Sequence, residues 1–155
     1  MRRMLALGLL AALVAAACGG STQIPRSPAP TGRVVDLTMQ TISFEPSTIT
    51  LNAGEHVTIR LVNRASAEHE FMAGRVAHPA GGGFQEDLLE GVRVDTKGSM
   101  SDMPAMGHGG FGLRVAAGKT AEATFEVPLK AGRYEFGCFI PGHYEAGMKG
   151  TLVIN

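Results

Sequence analysis

Residues 138–148 read Cys138-Phe-Ile-Pro-Gly-His143-Tyr-Glu-Ala-Gly-Met148. Just before this stretch Tyr134, Phe136 and Cys138 alternate with other residues, and from its end Met148, Gly150, Leu152 and Ile154 share one face. A period of two marks strands with one buried face. The stretch is therefore a tight loop between two strands, bent at Pro141-Gly142 and at Gly147. Such a loop can bring a thiolate, an imidazole and a thioether to one point. These are soft or borderline donors of the kind that suit copper.

A trigonal set of two imidazoles and a thiolate, with a long axial methionine, needs a second histidine from elsewhere. The chain has five: His56, His69, His78, His108 and His143. His69 is the candidate, because it opens a short apolar run, His69–Met72, just after the alternating run Val57–Asn63. His56 reads as a solvated turn residue, and His78 and His108 fall in irregular sequence. Zinc fits less well, since Met is a poor zinc ligand and structural zinc sites use more cysteines. A dinuclear copper site would want a second Cys in the loop, and position 142 is Gly.

Working outward, alternation recurs at Val35–Met39, Ile49–Leu51, Val57–Asn63 and Ala121–Val127, with turn signals at Asn52-Ala53-Gly54 and Ala131-Gly132. Many short strands with turns between them and no long helical pattern predict an all-β, antiparallel Greek-key β-sandwich over residues 33–155. Residues 73–112 are Gly-rich and lose the pattern, so they are expected to form an irregular loop insertion. Asp87 and Glu90 read as solvated loop charges.

The N-terminal segment reads as a targeting signal. Arg2 and Arg3 precede an apolar stretch, Met4–Ala17, that is too short to span a bilayer, and Ala15-Ala16-Ala17 lead into Cys18. Residues 1–17 are expected to be a signal peptide. The layout resembles a bacterial lipoprotein signal, which implies lipidation of Cys18, although Ala15 stands where Leu or Val is usual. The other reading is an ordinary signal peptide that leaves Cys18 as a spare thiol. Residues 18–32 carry three prolines and small polar residues, the composition of a linker between anchor and domain. The expected location is extracytoplasmic, anchored to a membrane. With Cys18 lipidated, Cys138 is left as a single thiol in an oxidising compartment, which favours a ligand over an idle side chain.

Composition removes other classes. The 14 basic and 14 acidic residues balance, and no basic patch points to nucleic acid. No nucleophile–base pair or phosphate-binding Gly loop is present, so no enzyme is expected. Met100, Met103, Met106 and His108 form a weaker signal within SMSDMPAMGHGG. They read either as an auxiliary Cu(I) loop or as flexible side chains covering an apolar edge, and the second reading is the simpler.

The C-x4-H-x4-M spacing, the Pro-Gly-His core and the Lys149–Ile154 strand resemble the cupredoxin, or type 1 blue-copper, family, plastocyanin- and azurin-like. The spacing is nearest to its rusticyanin- and auracyanin-like members. The resemblance covers residues 34–155 apart from the Gly-rich insertion. It implies one copper ion with His69, Cys138 and His143 as equatorial ligands and Met148 as axial ligand. It also implies that backbone amides near Glu70 hold the Cys138 sulfur and that the outer nitrogen of His143 meets solvent. The expected function is one-electron transfer between Cu(I) and Cu(II). A monomeric domain would use the apolar rim of Ile140, Pro141 and Tyr144 to dock redox partners. The alternative is a periplasmic copper chaperone, buffer or resistance factor that meets copper donors and acceptors.

Overall fold

The alternation read from the sequence becomes two packed sheets. A computed structural model of the chain describes residues 32–78, 82–98 and 110–155. Residues 1–31, with Cys18, and the Met100–His108 motif lie outside the described residues. The elements are all strands: β1 (Arg33–Met39), β2 (Phe44–Glu45), β3 (Thr48–Leu51), β4 (His56–Asn63), β5 (His69–Ala77), β6 (Phe84–Asp87), β7 (Asp95–Lys97), β8 (Leu113–Val115), β9 (Thr120–Glu126), β10 (Gly132–Gly137) and β11 (Lys149–Ile154). One sheet has the order β2-β1-β4-β9-β7. The other runs β3-β11-β10-β5-β6, with β8 paired to the start of β5.

The inward faces follow the period of two. Leu37 and Met39 from β1, Val57, Ile59 and Leu61 from β4, and Ala121, Ala123 and Phe125 from β9 line one side of the core. Ile49, Leu51, Phe71, Tyr134, Phe136, Leu152 and Ile154 line the other. Full burial of one such Leu, Ile or Phe contributes about 1.5–3 kcal/mol relative to exposure. Side-chain size is matched across the ladder, with Ala121 opposite Leu61 and Ala123 opposite Ile59.

The two-sheet, all-β architecture is the one expected, but each sheet is mixed, with one parallel pair among the antiparallel ones. β1 runs parallel to β4, and β3 runs parallel to β11. The reason is connectivity. After β2 the chain crosses to the other sheet as β3, turns at Asn52–Glu55, and returns as β4 in the same direction as β1. Period-two alternation is the same for either pairing, so it carries no sign of direction.

Part of the stretch expected to be an irregular insertion is sheet, while residues 79–81 and 99–109 lie outside the described residues. β5 continues to Ala77, β6 extends its sheet at the edge, and β7 extends the other sheet beyond β9. These edge strands are held by backbone pairing, and the three residues of β7 are all exposed. Asp87 is half-buried rather than solvated, and it accepts the backbone N–H groups of Leu89 (2.7 Å) and Phe111.

The registers define two poles. Arg33 pairs with Val57 at one end of the β1–β4 ladder and Met39 with Asn63 at the other. Gly32, where the described chain enters, lies against the His56 backbone at the first end. The Asn63 end leads to His69, and the loop 138–148 caps the same pole.

Phe136 anchors this pole, packing edge-on to Phe44 at 5.2 Å and tilted against Phe71 at 5.8 Å. It also packs against Gly150, where an added β-carbon would press on its ring and come within 2.6 Å of the Ser47 carbonyl oxygen. The substitution Gly150→Ala is expected to destabilise the domain by about 1–3 kcal/mol through overpacking. The check is a lower denaturant midpoint at unchanged slope.

Candidate metal centre

β5 and β10 are antiparallel neighbours, so the first residue of β5 and the residue after β10 lie at the same pole. His69 and Cys138 are those residues, and both are fully buried. Asn63 fixes the approach to His69. Its side-chain N–H groups donate to the carbonyls of Ala67 (2.8 Å) and Val115 (3.0 Å), and its oxygen accepts the N–H of Ala65 (2.9 Å).

The loop 138–148 closes on itself. Cys138 N–H donates to the Met148 carbonyl (3.1 Å), His143 N–H to that of Ile140 (2.9 Å), and Met148 N–H to that of His143 (2.9 Å). Gly142 and Gly147 sit at φ +85° and +102°, backbone that L side chains rarely adopt. The loop thus brings His143 back over Cys138 and buries Met148 completely.

The result is a compact donor set. Cys138 Sγ lies 3.3 Å from His143 Nδ1 and 3.9 Å from His69 Nδ1. The ligand atoms of the three residues all fall within 4.8 Å of one another, and the two imidazole rings are 5.1 Å apart at an angle of 57°. The backbone N–H of Glu70 donates to Cys138 Sγ at 3.3 Å. One thiol, two imidazoles and a buried thioether on the same loop make a donor set that fits a single copper ion. All four ligands expected from the sequence are therefore at one pole. Of the other histidines, His56 is half-buried beside Glu126 (3.9 Å) at the far pole, His78 follows the end of β5, and His108 lies outside the described residues.

Burial sets the protonation of the set. It raises the Cys138 thiol above its ordinary value, against the lowering effect of the Glu70 and Ile140 amides. It lowers His69, with the neighbouring His143 ring acting in the same direction and the Gln40 backbone opposing it. The outer nitrogen of His69, Nε2, is buried with no partner at hydrogen-bond geometry. Burial thus favours the neutral thiol of Cys138 and the neutral imidazole of His69.

An aromatic group borders the site. Tyr144 stacks on Phe139 (4.5 Å, 12°), and Phe84 meets Phe139 edge-on at 4.9 Å. The Tyr144 hydroxyl donates to Glu135 Oε2 at 2.6 Å. Burial and then that carboxylate push its pKa well above the ordinary phenol value, so the hydroxyl keeps its proton. Ile140 is half-buried and Pro141 exposed beside the half-exposed His143.

Two charged groups were missed in the sequence. Glu70 and Arg114 are both buried next to the site. The signal available was Glu68 and Glu70 on either side of a candidate ligand, which calls for a cation nearby.

Known proteins show the same pattern. The family model described as copper binding proteins, plastocyanin/azurin family, matches residues 33–155. The chain is 39% identical over 132 residues to the copper-resistant cuproprotein CopI of Rubrivivax gelatinosus, an alignment covering 84% of this chain and 71% of that protein. It is 28% identical to auracyanin-A of Chloroflexus aurantiacus, covering 99% of this chain and 97% of that one. Among solved structures, auracyanin B superposes with a TM-score of 0.56 at 22% identity, covering 88% and 96% of the two chains. A multicopper oxidase shares the fold with a TM-score of 0.52 at 12% identity, and the match spans 46% of that larger chain.

Metal uptake must displace the proton that burial keeps on Cys138. Above the ordinary imidazole range, from about pH 7.5 to 8.5, copper affinity is expected to rise about tenfold per pH unit. Competition titrations against a chelator of known pH dependence check this, and a flat profile contradicts a protonated Cys138.

Proposed function

The chain belongs to the plastocyanin/azurin family of copper-binding proteins, and we propose that it acts as a mononuclear one-electron carrier rather than a catalyst. The observation that carries this reading is the donor set itself. Three ligand atoms lie within 4.8 Å of one another in a chain held together by its own hydrogen bonds. Copper, when bound, supplies one-electron cycling between Cu(I) and Cu(II). The thiolate and imidazoles of His69, Cys138 and His143 suit the oxidised ion, and the thiolate with the Met148 thioether suits the reduced one. A frame that keeps these groups in place needs little rearrangement between the two states. The half-exposed edge of His143, with Ile140, Pro141 and Tyr144 beside it, offers a small apolar surface for brief redox docking.

A second reading has its own support. CopI of Rubrivivax gelatinosus is a copper-resistant cuproprotein by name, and Met100, Met103, Met106 and His108 are soft donors outside the family loop. On this reading the chain handles copper as cargo.

Anchoring is part of the proposal. The signal-like residues 1–17 and Cys18 would tether the domain through residues 18–32 outside the cytoplasm. The described chain enters at the Gly32 pole, opposite the donor set, so a tether there would leave the metal end free. Expressed with its leader in a bacterial host, the Cys18→Ala variant is expected to move from the membrane fraction to the soluble fraction. Retention at the membrane removes the lipid anchor.

Adding Cu(II) to residues 33–155 is expected to give one bound equivalent and an intense thiolate-to-copper absorption band that Cys138→Ser abolishes. A band that survives Cys138→Ser would end the blue-copper reading. Full-length protein lacking residues 99–109 should bind the same single equivalent. Loss of a further equivalent on deletion, together with transfer of Cu(I) to an acceptor, favours the cargo reading.

A further inference from the structure

Among the described residues, Arg114 is the one buried cation, with a side chain 7% exposed. It stands on β8 directly opposite Glu70 in the β5–β8 ladder. Its Nε lies 3.5 Å from Glu70 Oε1 and its Nη1 3.6 Å from Glu68 Oε1. Glu68 and Glu70 are the two neighbours of His69 in the chain. A single guanidinium therefore bridges the carboxylates on both sides of that ligand. Gly112 leaves room for the arrangement, since a β-carbon there would sit 3.1 Å from Glu70 Oε1.

The two contacts differ in environment. The Glu68 side chain is 41% exposed, so its pair with Arg114 is screened by water. Glu70 and Arg114 are desolvated together, and removing either one strands the other charge in the interior. Glu70 is also the residue whose amide points at the Cys138 sulfur. Its carboxylate accepts the backbone N–H of Phe139, the residue next to Cys138.

We propose that Arg114 is a positioning residue for the copper site, clamping the carboxylates that flank His69 and cancelling the charge that Glu70 brings beside the Cys138 thiolate. Its planar fork can reach both carboxylates, as a lysine ammonium could not with the same geometry.

The proposal rests on the mononuclear copper reading, so copper binding by the wild-type protein is measured first. Three single variants, Arg114→Met, Arg114→Lys and Glu70→Gln, and the double variant Glu70→Gln/Arg114→Met then separate clamp from charge. Arg114→Met should lower the copper reduction potential by leaving Glu70 unbalanced, and Glu70→Gln should raise it. The double variant should return towards wild type. Arg114→Lys keeps the charge but loses the fork. It should hold the potential near wild type while releasing copper about tenfold faster, equivalent to about 1.4 kcal/mol. In the metal-free protein, hydrogen exchange at the Glu70 amide should speed up in both Arg114 variants. Potential shifts of the same sign in Arg114→Met and Glu70→Gln overturn the charge role, and unchanged amide exchange in both Arg114 variants overturns the clamp. If Arg114→Met does not fold, Arg114→Lys and Glu70→Gln decide the question by the same readouts. If the wild type binds no copper, the function proposed above fails, and amide exchange in the metal-free protein still tests the clamp.

Discussion

The contact on which the site turns is the 3.3 Å hydrogen bond from the Glu70 amide to the Cys138 sulfur, between residues 68 apart in sequence. It requires β5 to lie antiparallel beside β10, so that the start of one strand meets the end of the other. That neighbour relation is secured by the core beneath. Phe71 and Phe136 pack under it, Phe136 fills the space that Gly150 leaves, and the β10–β11 ladder brings Met148 back to the same pole. A peptide N–H aimed at sulfur favours the thiolate, in a pocket whose burial favours the thiol. The fold thus supplies part of what the ligand needs.

A cluster of polar donors inside an apolar pole is costly when its members are unpaired. The chain limits that cost in two ways. Cys138 and His69 are held in uncharged forms by burial, and five backbone hydrogen bonds close the loop on itself. The remaining deficit is local, at the buried Nε2 of His69. Loop hydrogen bonds and the glycine geometry at Gly142 and Gly147 hold the donors close together.

Much of this was legible in the sequence. Cys138, His143 and Met148 could be read as a set because loop spacing and alternating flanks are local signals, and His69 followed from its place at the head of a strand. The sheets were harder. Val35–Met39 and Val57–Asn63 read correctly as strands, but their parallel pairing depends on a crossover that alternation does not encode. β6 and β7 went unread because edge strands as polar as Phe84–Asp87 and Asp95–Lys97 are defined by backbone partners more than by side chains. Arg114 was hidden for a related reason. In the sequence Leu-Arg-Val looks like any half-buried strand, and only the pairing of β8 with β5 puts the guanidinium between Glu68 and Glu70.

A tightly held ligand frame weighs differently on the two functional readings. A carrier gains from a site that does not change between oxidation states, and here the ligand frame is tied on both sides, through the self-bonded loop and through Asn63. A copper-handling protein must also let the ion go, and a buried thiol, a buried imidazole and a buried thioether at the base of a closed loop oppose release. Release would have to begin at His143, the one ligand among the four that is not fully buried. The same residue is the natural point of electron exit, so both readings lead through one edge of one imidazole. They part at what happens to the loop behind it. Electron transfer leaves the Cys138–Met148 and His143–Met148 backbone bonds intact, whereas release of the ion must loosen them.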